Sequence, residues 1–233
     1  MSHGYFITGT DTNIGKSIVA ASLIHAMAQR GLKVAGMKPV STGCFETENG
    51  LRNEDAELMM KYSNVELSYE TVNPYAYLPP VSPHLAAKKV GQRIELDKIT
   101  RIFSGISQVS DCVIVEGVGG WLVPLNDTET VEDLAVAMQL PLIVVIGTRL
   151  GCINHAMLTI DRIQKTGLEV AGWVANIMDR NIDYLPDVID SLRLRISAPL
   201  VGIIPPYRMI NPERAADHLS IQRILEDSSL LAV

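Results

Sequence analysis

The chain has 233 residues, 47% of them hydrophobic, and a formal net charge of −6. That length suits one large α/β domain or two small ones, and so apolar a chain is not a disordered one. The acidity argues against nucleic acid as the main partner, while a few local N–H donors can still hold a small anion.

Taken in chain order, short apolar runs alternate with helix-period segments. Tyr5-Phe6-Ile7-Thr8 reads as a first strand. Residues 17–30 carry Ile18, Val19, Leu23 and Met27 at helical spacing, and Gly31 stops that helix. A second strand covers 34–38 and is closed by Pro39. Residues 66–94 are rich in Pro and Tyr and read as a surface excursion with a short helix, not as a linker. Cys112-Val113-Ile114-Val115 is a third strand, followed by 142–146, 170–175 and 200–204. Continuous β-rich runs separated by helices indicate a parallel sheet buried on both faces. Right-handed crossovers then collect the loops that follow the strands on one edge. The chain shows no internal repeat and no low-complexity tract.

Three cysteines, Cys44, Cys112 and Cys152, lack C-x-x-C spacing and fit reduced thiols in a cytoplasmic protein better than a disulfide framework or a zinc site. No basic segment followed by an apolar stretch opens the chain, so no signal peptide is expected. The longest strongly apolar run, 140–147, is far short of the roughly 20 residues that span a bilayer, so no membrane partner is expected.

Gly9-Thr10-Asp11-Thr12-Asn13-Ile14-Gly15-Lys16-Ser17 follows a strand and opens a helix, the context a phosphate-binding loop requires. Backbone N–H groups and the helix dipole there attract an anion. Lys16 supplies a mobile charge for the β- and γ-phosphates, and the Ser17 hydroxyl suits Mg²⁺. Thr10 stands where the usual pattern has its first glycine, with Gly9 one place earlier. The bland alternative is a Gly-Lys-Ser helix start without a ligand.

A phosphate loop needs Mg²⁺ and carboxylates to hold it. Glu116 ends an apolar strand and precedes Gly117-Val118-Gly119-Gly120, so it can face the phosphates. Asp55 follows Asn53-Glu54 at a helix start, where it reads equally as ordinary N-terminal chemistry. Lys38 can balance charge on a transferring phosphoryl group, although alone it reads as a snorkelling lysine.

Together these segments resemble the dethiobiotin synthetases. The matching stretches include the phosphate loop, Lys38-Pro39-Val40, and Leu51-Arg52-Asn53-Glu54-Asp55-Ala56. Others are Val72-Asn73-Pro74-Tyr75, Val115-Glu116-Gly117-Val118-Gly119-Gly120, and Leu150-Gly151-Cys152-Ile153-Asn154-His155-Ala156. Gly172-Trp173-Val174-Ala175-Asn176 and Asn211-Pro212-Glu213 complete the set, which spans nearly the whole chain.

The resemblance implies a three-layer α/β fold of the P-loop NTPase type, with a mostly parallel central sheet and residues 1–233 as a single domain. It implies ATP as co-substrate, Mg²⁺ as cofactor, and a cytoplasmic homodimer acting on 7,8-diaminononanoate and CO₂. Lys38 and Lys16 become catalytic, and Ser17, Asp55 and Glu116 become metal ligands. Nucleotide contacts fall on Thr12, Asn13, Ile14, Gly15, Lys16, Ser17, Ile18, Asp55, Glu116, Gly117, Val118 and Gly119. The base and ribose side falls on Asn176, Ile177, Pro205, Pro206, Tyr207 and Glu213. Thr42 falls on the diamine side of the substrate. Gly151, Cys152, Ile153 and Asn154 form a helix start that binds the substrate carboxylate from across the dimer. Ser17 replaces a commoner threonine, Arg149 a frequent lysine, and one extra residue lies between Pro205 and Asn211.

The five histidines are dispersed without ligand spacing, and a structural hydrogen bond is expected for His155. Cys152, Trp121 and Trp173 read as packing residues. Two other classes compete. A partition-type ATPase typically carries a lysine early in the loop, where this chain has Asp11, and a GTP switch needs the lysine that Asn176-Ile177-Met178-Asp179 lacks.

Overall fold

The strand-forming runs are apolar at nearly every position, with Thr8 and Lys38 only at their ends, so both their faces must be covered. The computed structural model, which describes residues 4–179, 183–206 and 211–226, places them accordingly. The chain opens with β1 (Gly4–Gly9), α1 (Lys16–Ala28) and β2 (Val34–Met37). Three short strands follow, β3 (Val40–Thr42), β4 (Phe45–Thr47) and β5 (Gly50–Arg52), then α2 (Glu54–Tyr62) and α3 (Tyr69–Val72). Next come β6 (Tyr75–Tyr77), α4 (Pro83–Lys89), α5 (Leu96–Ser107), β7 (Cys112–Glu116) and α6 (Val131–Met138). The described chain ends with β8 (Leu142–Thr148), α7 (Cys152–Gln164), β9 (Val170–Ile177), α8 (Leu185–Arg195), β10 (Leu200–Ile204), α9 (Pro212–Ala216) and α10 (Ile221–Glu226).

Six strands form one sheet in the order β10-β9-β8-β1-β7-β2, and every neighbouring pair is parallel. All six sequence-predicted strands belong to it. Alternate residues of each strand feed two cores. Phe6, Val113, Val144 and Trp173 face α5, α7 and α8, whereas Tyr5, Ile114, Ile143 and Val174 face α1 and α9. α1 is buried on more than one side, at Val19, Ala20, Leu23, Ile24 and Met27, because α2 and α9 pack around it. It therefore reads as apolar nearly all round rather than amphipathic.

The direction of winding reverses at β1, between β7 and β8, which is where open parallel sheets form a ligand crevice. The C-terminal ends of β1, β2, β7 and β8 all open on that edge. The stretch 66–94 is not the surface excursion expected from its Pro and Tyr content. It contains two helices and a strand, β6, that pairs in parallel with β3. Tyr75, Tyr77, Ala86 and Ile94 are buried in the main core. The prolines stop regular structure, but the aromatic rings between them carry enough apolar area to pack inward.

Candidate active site

β1 ends at Gly9, and the loop that follows turns directly into α1. Gly15 precedes the first helical residue with φ 89° and no side chain to cap the helix, so the first-turn N–H groups are left for a ligand. The loop is held by its neighbours. Asp11 accepts from the Thr12 N–H at 2.7 Å and pairs with Arg149 at the end of β8. Its carbonyl accepts from Lys16 Nζ at 2.6 Å. Asn176, at the end of β9, donates Nδ2 to the Ile14 carbonyl at 2.8 Å.

A Cβ added at Gly15 would lie 2.3 Å from that same Nδ2, at a φ L-residues rarely adopt. Gly15→Ala is therefore expected to lower stability by about 1–3 kcal/mol and weaken nucleotide binding at least tenfold. Thermal unfolding and calorimetric titration with nucleotide check it.

The strand register builds the rest. Met37 pairs with Val115, so the next residues on the two strands, Lys38 and Glu116, emerge side by side. Ile7 pairs with Glu116, which sets the carboxylate beside the phosphate loop. Lys38 Nζ lies 2.5 Å from Glu116 Oε1 and 3.1 Å from Asp55 Oδ2. The Ser17 hydroxyl donates to Glu116 Oε1 at 2.9 Å. Asp55 sits in the first turn of α2, whose N-cap Asn53 accepts from the N–H groups of Asp55 and Ala56. Asp55 is thus a helix-start residue whose carboxylate also reaches Lys38.

Burial and charge oppose each other here. Burial pulls Lys38 down, but Glu116 and Asp55 outweigh it and hold the ammonium above its ordinary range. Burial pushes Glu116 up, against the pull of Lys38. Asp55 is held low, because the Lys38 ammonium and the Ser17 hydroxyl outweigh its burial. Lys16 is compensated less, because Glu116, Asp55 and Asp11 act on it by charge alone, without the side-chain hydrogen bonds that Lys38 has. Burial, then the Lys38 charge, bring it down to about 8.

These groups line a cleft of about 560 Å³. Of the site residues expected from the sequence, the structure brings Thr12, Asn13, Gly15, Lys16, Ser17, Ile18, Lys38, Thr42, Asp55, Glu116, Val118 and Gly119 to its wall. Ser41 and Leu58 also line it and had no sequence signal, and so do Asn53 and Glu54, which the sequence marked only as neighbours of Asp55. Ile14 is 3% exposed and turns into the core, leaving its peptide to the loop. Gly117 stands behind the lining, its carbonyl 3.4 Å from Lys38 Nζ.

The base-side residues are less gathered. Asn176 is buried against the loop, while Ile177, Pro205, Pro206 and Glu213 do not line the cleft, and Tyr207 lies outside the described residues. Glu213 occupies the first turn of α9, and its charge pushes the Tyr62 hydroxyl up, second to burial. Gly151, Cys152, Ile153 and Asn154 start α7 without a side-chain cap, on the same edge but outside the cleft. Cys152 is buried, as are Trp121 and Trp173, which supports their reading as packing residues. His155 is exposed, and its ring makes no hydrogen bond among the described residues, contrary to the structural bond expected of it.

The donors fit a hard divalent cation. A hydroxyl and two carboxylates offer only oxygen, and Glu116 Oε2 is buried without a partner among the described residues. Ser17, Asp55 and Glu116 are the residues that would hold Mg²⁺.

Comparison with known proteins decides the family. The family described as AAA domain matches residues 3–214. The ATP-dependent dethiobiotin synthetase of Cellvibrio japonicus is 43% identical over 222 residues, covering 95% of this chain and 97% of that one. That of Escherichia coli K12 is 44% identical over 216 residues, covering 93% and 96%. The chain belongs to the dethiobiotin synthetase family. Among solved structures, the septum site-determining protein MinD of Pyrococcus horikoshii, complexed with Mg-ADP, superposes with a TM-score of 0.59 at 15% identity, covering 97% and 90%. A ParA family ATPase of Chlorobium tepidum gives 0.57 at 14% identity, covering 99% and 95%. At such identity the likeness is one of fold, a P-loop α/β sheet. The partition-ATPase and GTP-switch readings yield to dethiobiotin synthetase membership, which agrees with Asp11 in the loop and the absence of a stacking lysine after Asn176.

Proposed function

We propose that this chain is an ATP-dependent cyclo-ligase that closes the ureido ring of dethiobiotin from 7,8-diaminononanoate and CO₂, a step of biotin biosynthesis. The observation that carries this reading is the buried Lys38 held between Glu116 and Asp55 at the mouth of the phosphate loop. One amine attacks CO₂ and loses a proton, giving a carbamate. A carbamate oxygen attacks the γ-phosphorus of ATP, and the bond to ADP breaks. The second amine attacks the carbonyl carbon of this mixed anhydride, expels phosphate, loses a proton and closes a five-membered urea.

Residues of the chain do mostly positioning and charge stabilisation in this scheme. Lys16 and the loop N–H groups bind the phosphates, and Lys38 stabilises charge between carbamate and γ-phosphate. Thr42 orients the diamine. Ser17, Asp55 and Glu116 would hold Mg²⁺, which would neutralise charge on the phosphates. Asn176, Ile177, Pro205, Pro206, Tyr207 and Glu213 form the base and ribose side. The uncapped start of α7 suits a carboxylate, and because it lies outside the cleft of its own chain, the reading assigns it to the site of a second copy in a homodimer. Residues 1–233 act as one P-loop NTPase-like domain in the cytoplasm. Among the described residues no helix is long and apolar enough to cross a membrane. The test is incorporation of labelled CO₂ into an acid-stable product. It requires both ATP and the diamine, and ATP hydrolysis indifferent to the diamine overturns the reading.

The Lys16 pKa gives a pH prediction. Phosphate capture needs the ammonium, so kcat/KM for ATP falls above about pH 8, where Lys16 titrates, by about tenfold per unit at the limit. Stability moves the opposite way. Between about 8 and the ordinary value of 10.5 the unfolded chain holds a proton that the folded chain lacks. This group's contribution therefore favours the folded state increasingly as pH rises through that window. A pH profile of ATP saturation and one of the unfolding midpoint check the two signs.

A further inference from the structure

Lys38 lies just beyond β2, past the last residue that pairs with β7, so the central sheet no longer fixes its peptide groups. Pro39 follows and brings no N–H of its own. Both main-chain groups of Lys38 are instead taken by one short segment of the stretch 66–94. The Lys38 N–H donates to the Val72 carbonyl at 2.9 Å. The Lys38 carbonyl accepts from Asn73 Nδ2 at 2.6 Å. Asn73 is 3% exposed, and its other end is tied as well. Its Oδ1 accepts from the Ser41 hydroxyl at 2.7 Å and from the Tyr69 hydroxyl at 3.0 Å.

We infer that Asn73 is a positioning residue for the proposed phosphoryl-transfer reaction, acting through the main chain of Lys38. The inference rests on Lys38 being the lysine that works at the γ-phosphate. A buried amide whose two ends are tied has one orientation available, and that orientation fixes the Lys38 peptide plane. From that plane the long lysine stem must carry Nζ to a point between two carboxylates. A stem with four rotatable bonds brings freedom of its own, so a fixed root leaves less of it to be frozen when Nζ takes its place. Displacements near 1 Å at a reacting group cost about 10²-fold in rate. Phosphate binding is built on the other side of the cleft, from the loop after β1, and does not pass through Asn73.

The role therefore separates kcat from KM. Asn73→Ala is expected to lower kcat about 10- to 100-fold and leave the KM for ATP within about twofold. Tyr69→Phe removes another hydrogen bond from the same buried amide without touching Lys38. It is expected to lower the unfolding midpoint by a comparable amount and leave kcat within about twofold. If Asn73→Ala does not fold, the isosteric Asn73→Asp keeps the acceptor and loses the donor to Lys38, and the same fall in kcat is expected. A kcat near that of the unaltered enzyme in either folded Asn73 variant overturns the inference. So does a Tyr69→Phe loss of turnover as large as that of Asn73→Ala. Lys38→Ala assayed alongside separates the two levels of the argument. Retained turnover there removes the role of Lys38, whereas its loss together with normal Asn73 variants removes only the role of Asn73.

Discussion

Lys38→Ala is expected to fold, to bind nucleotide within a few-fold of the unaltered enzyme, and to lose turnover by about 10²–10³-fold. The magnitude is that of removing one preorganised donor aimed at developing charge in a water-poor site. Binding survives because the phosphates are held by the loop and Lys16, which keep their own supports at Asp11 and Asn176. Steady-state turnover with all three substrates, beside a calorimetric nucleotide titration, checks both halves. Near-normal turnover removes Lys38 from the chemistry.

The same variant carries a pH signature. Without Lys38, burial and the neighbouring Asp55 charge raise Glu116 further than they do now. A carboxyl whose folded pKa lies above its unfolded one stabilises the fold below the unfolded value, and that contribution is lost as pH rises through the folded value. Relative to the unaltered enzyme, Lys38→Ala should therefore be least handicapped at the acid end, near the ordinary Glu value of 4.5, and increasingly handicapped as pH rises above it. A loss of unfolding midpoint that does not change with pH argues that Glu116 does not depend on Lys38 for its ionised form.

The central sheet was legible in the sequence because its strands are continuous in polarity and bounded by glycine or proline. The strand–loop–helix start at Gly15, Lys16 and Ser17 marked the phosphate site for the same local reason. Glu116 was legible as the polar end of an apolar strand. Asp55 and Lys38 had local readings that competed, and only the register Met37 with Val115 and the start of α2 bring them to one point. The tie between Asp11 and Arg149 joins residues 138 apart in the chain, so no local pattern could announce it. The stretch 66–94 was misread for a clearer reason. Proline content reports where regular structure stops, but not which way the rings between the prolines face. Tyr75 and Tyr77 face the core, and Asn73 faces Lys38.

Glu116→Gln is expected to be the most damaging single change in the site. The side chain is 1% exposed, and it is the closer of the two carboxylates that neutralise the buried Lys38 ammonium. Removing one partner of a buried ion pair while leaving the other costs about 3–5 kcal/mol. For a domain of this size that is a fall in unfolding midpoint of roughly 10 °C. Asp55→Asn is the internal comparison. Its side chain is 41% exposed and its ion pair longer, at 3.1 Å, so its loss of stability should be much the smaller. Both variants remove an oxygen charge from the group of Ser17, Asp55 and Glu116, so both should weaken the dependence of nucleotide affinity on added Mg²⁺. Thermal unfolding thus ranks the two by burial, while a Mg²⁺ titration of nucleotide affinity groups them by shared function. If Asp55→Asn proves as destabilising as Glu116→Gln, burial is not what sets the cost. If neither changes the Mg²⁺ dependence, the two carboxylates serve Lys38 alone, and the metal reading of the site fails while the charge-balancing one stands.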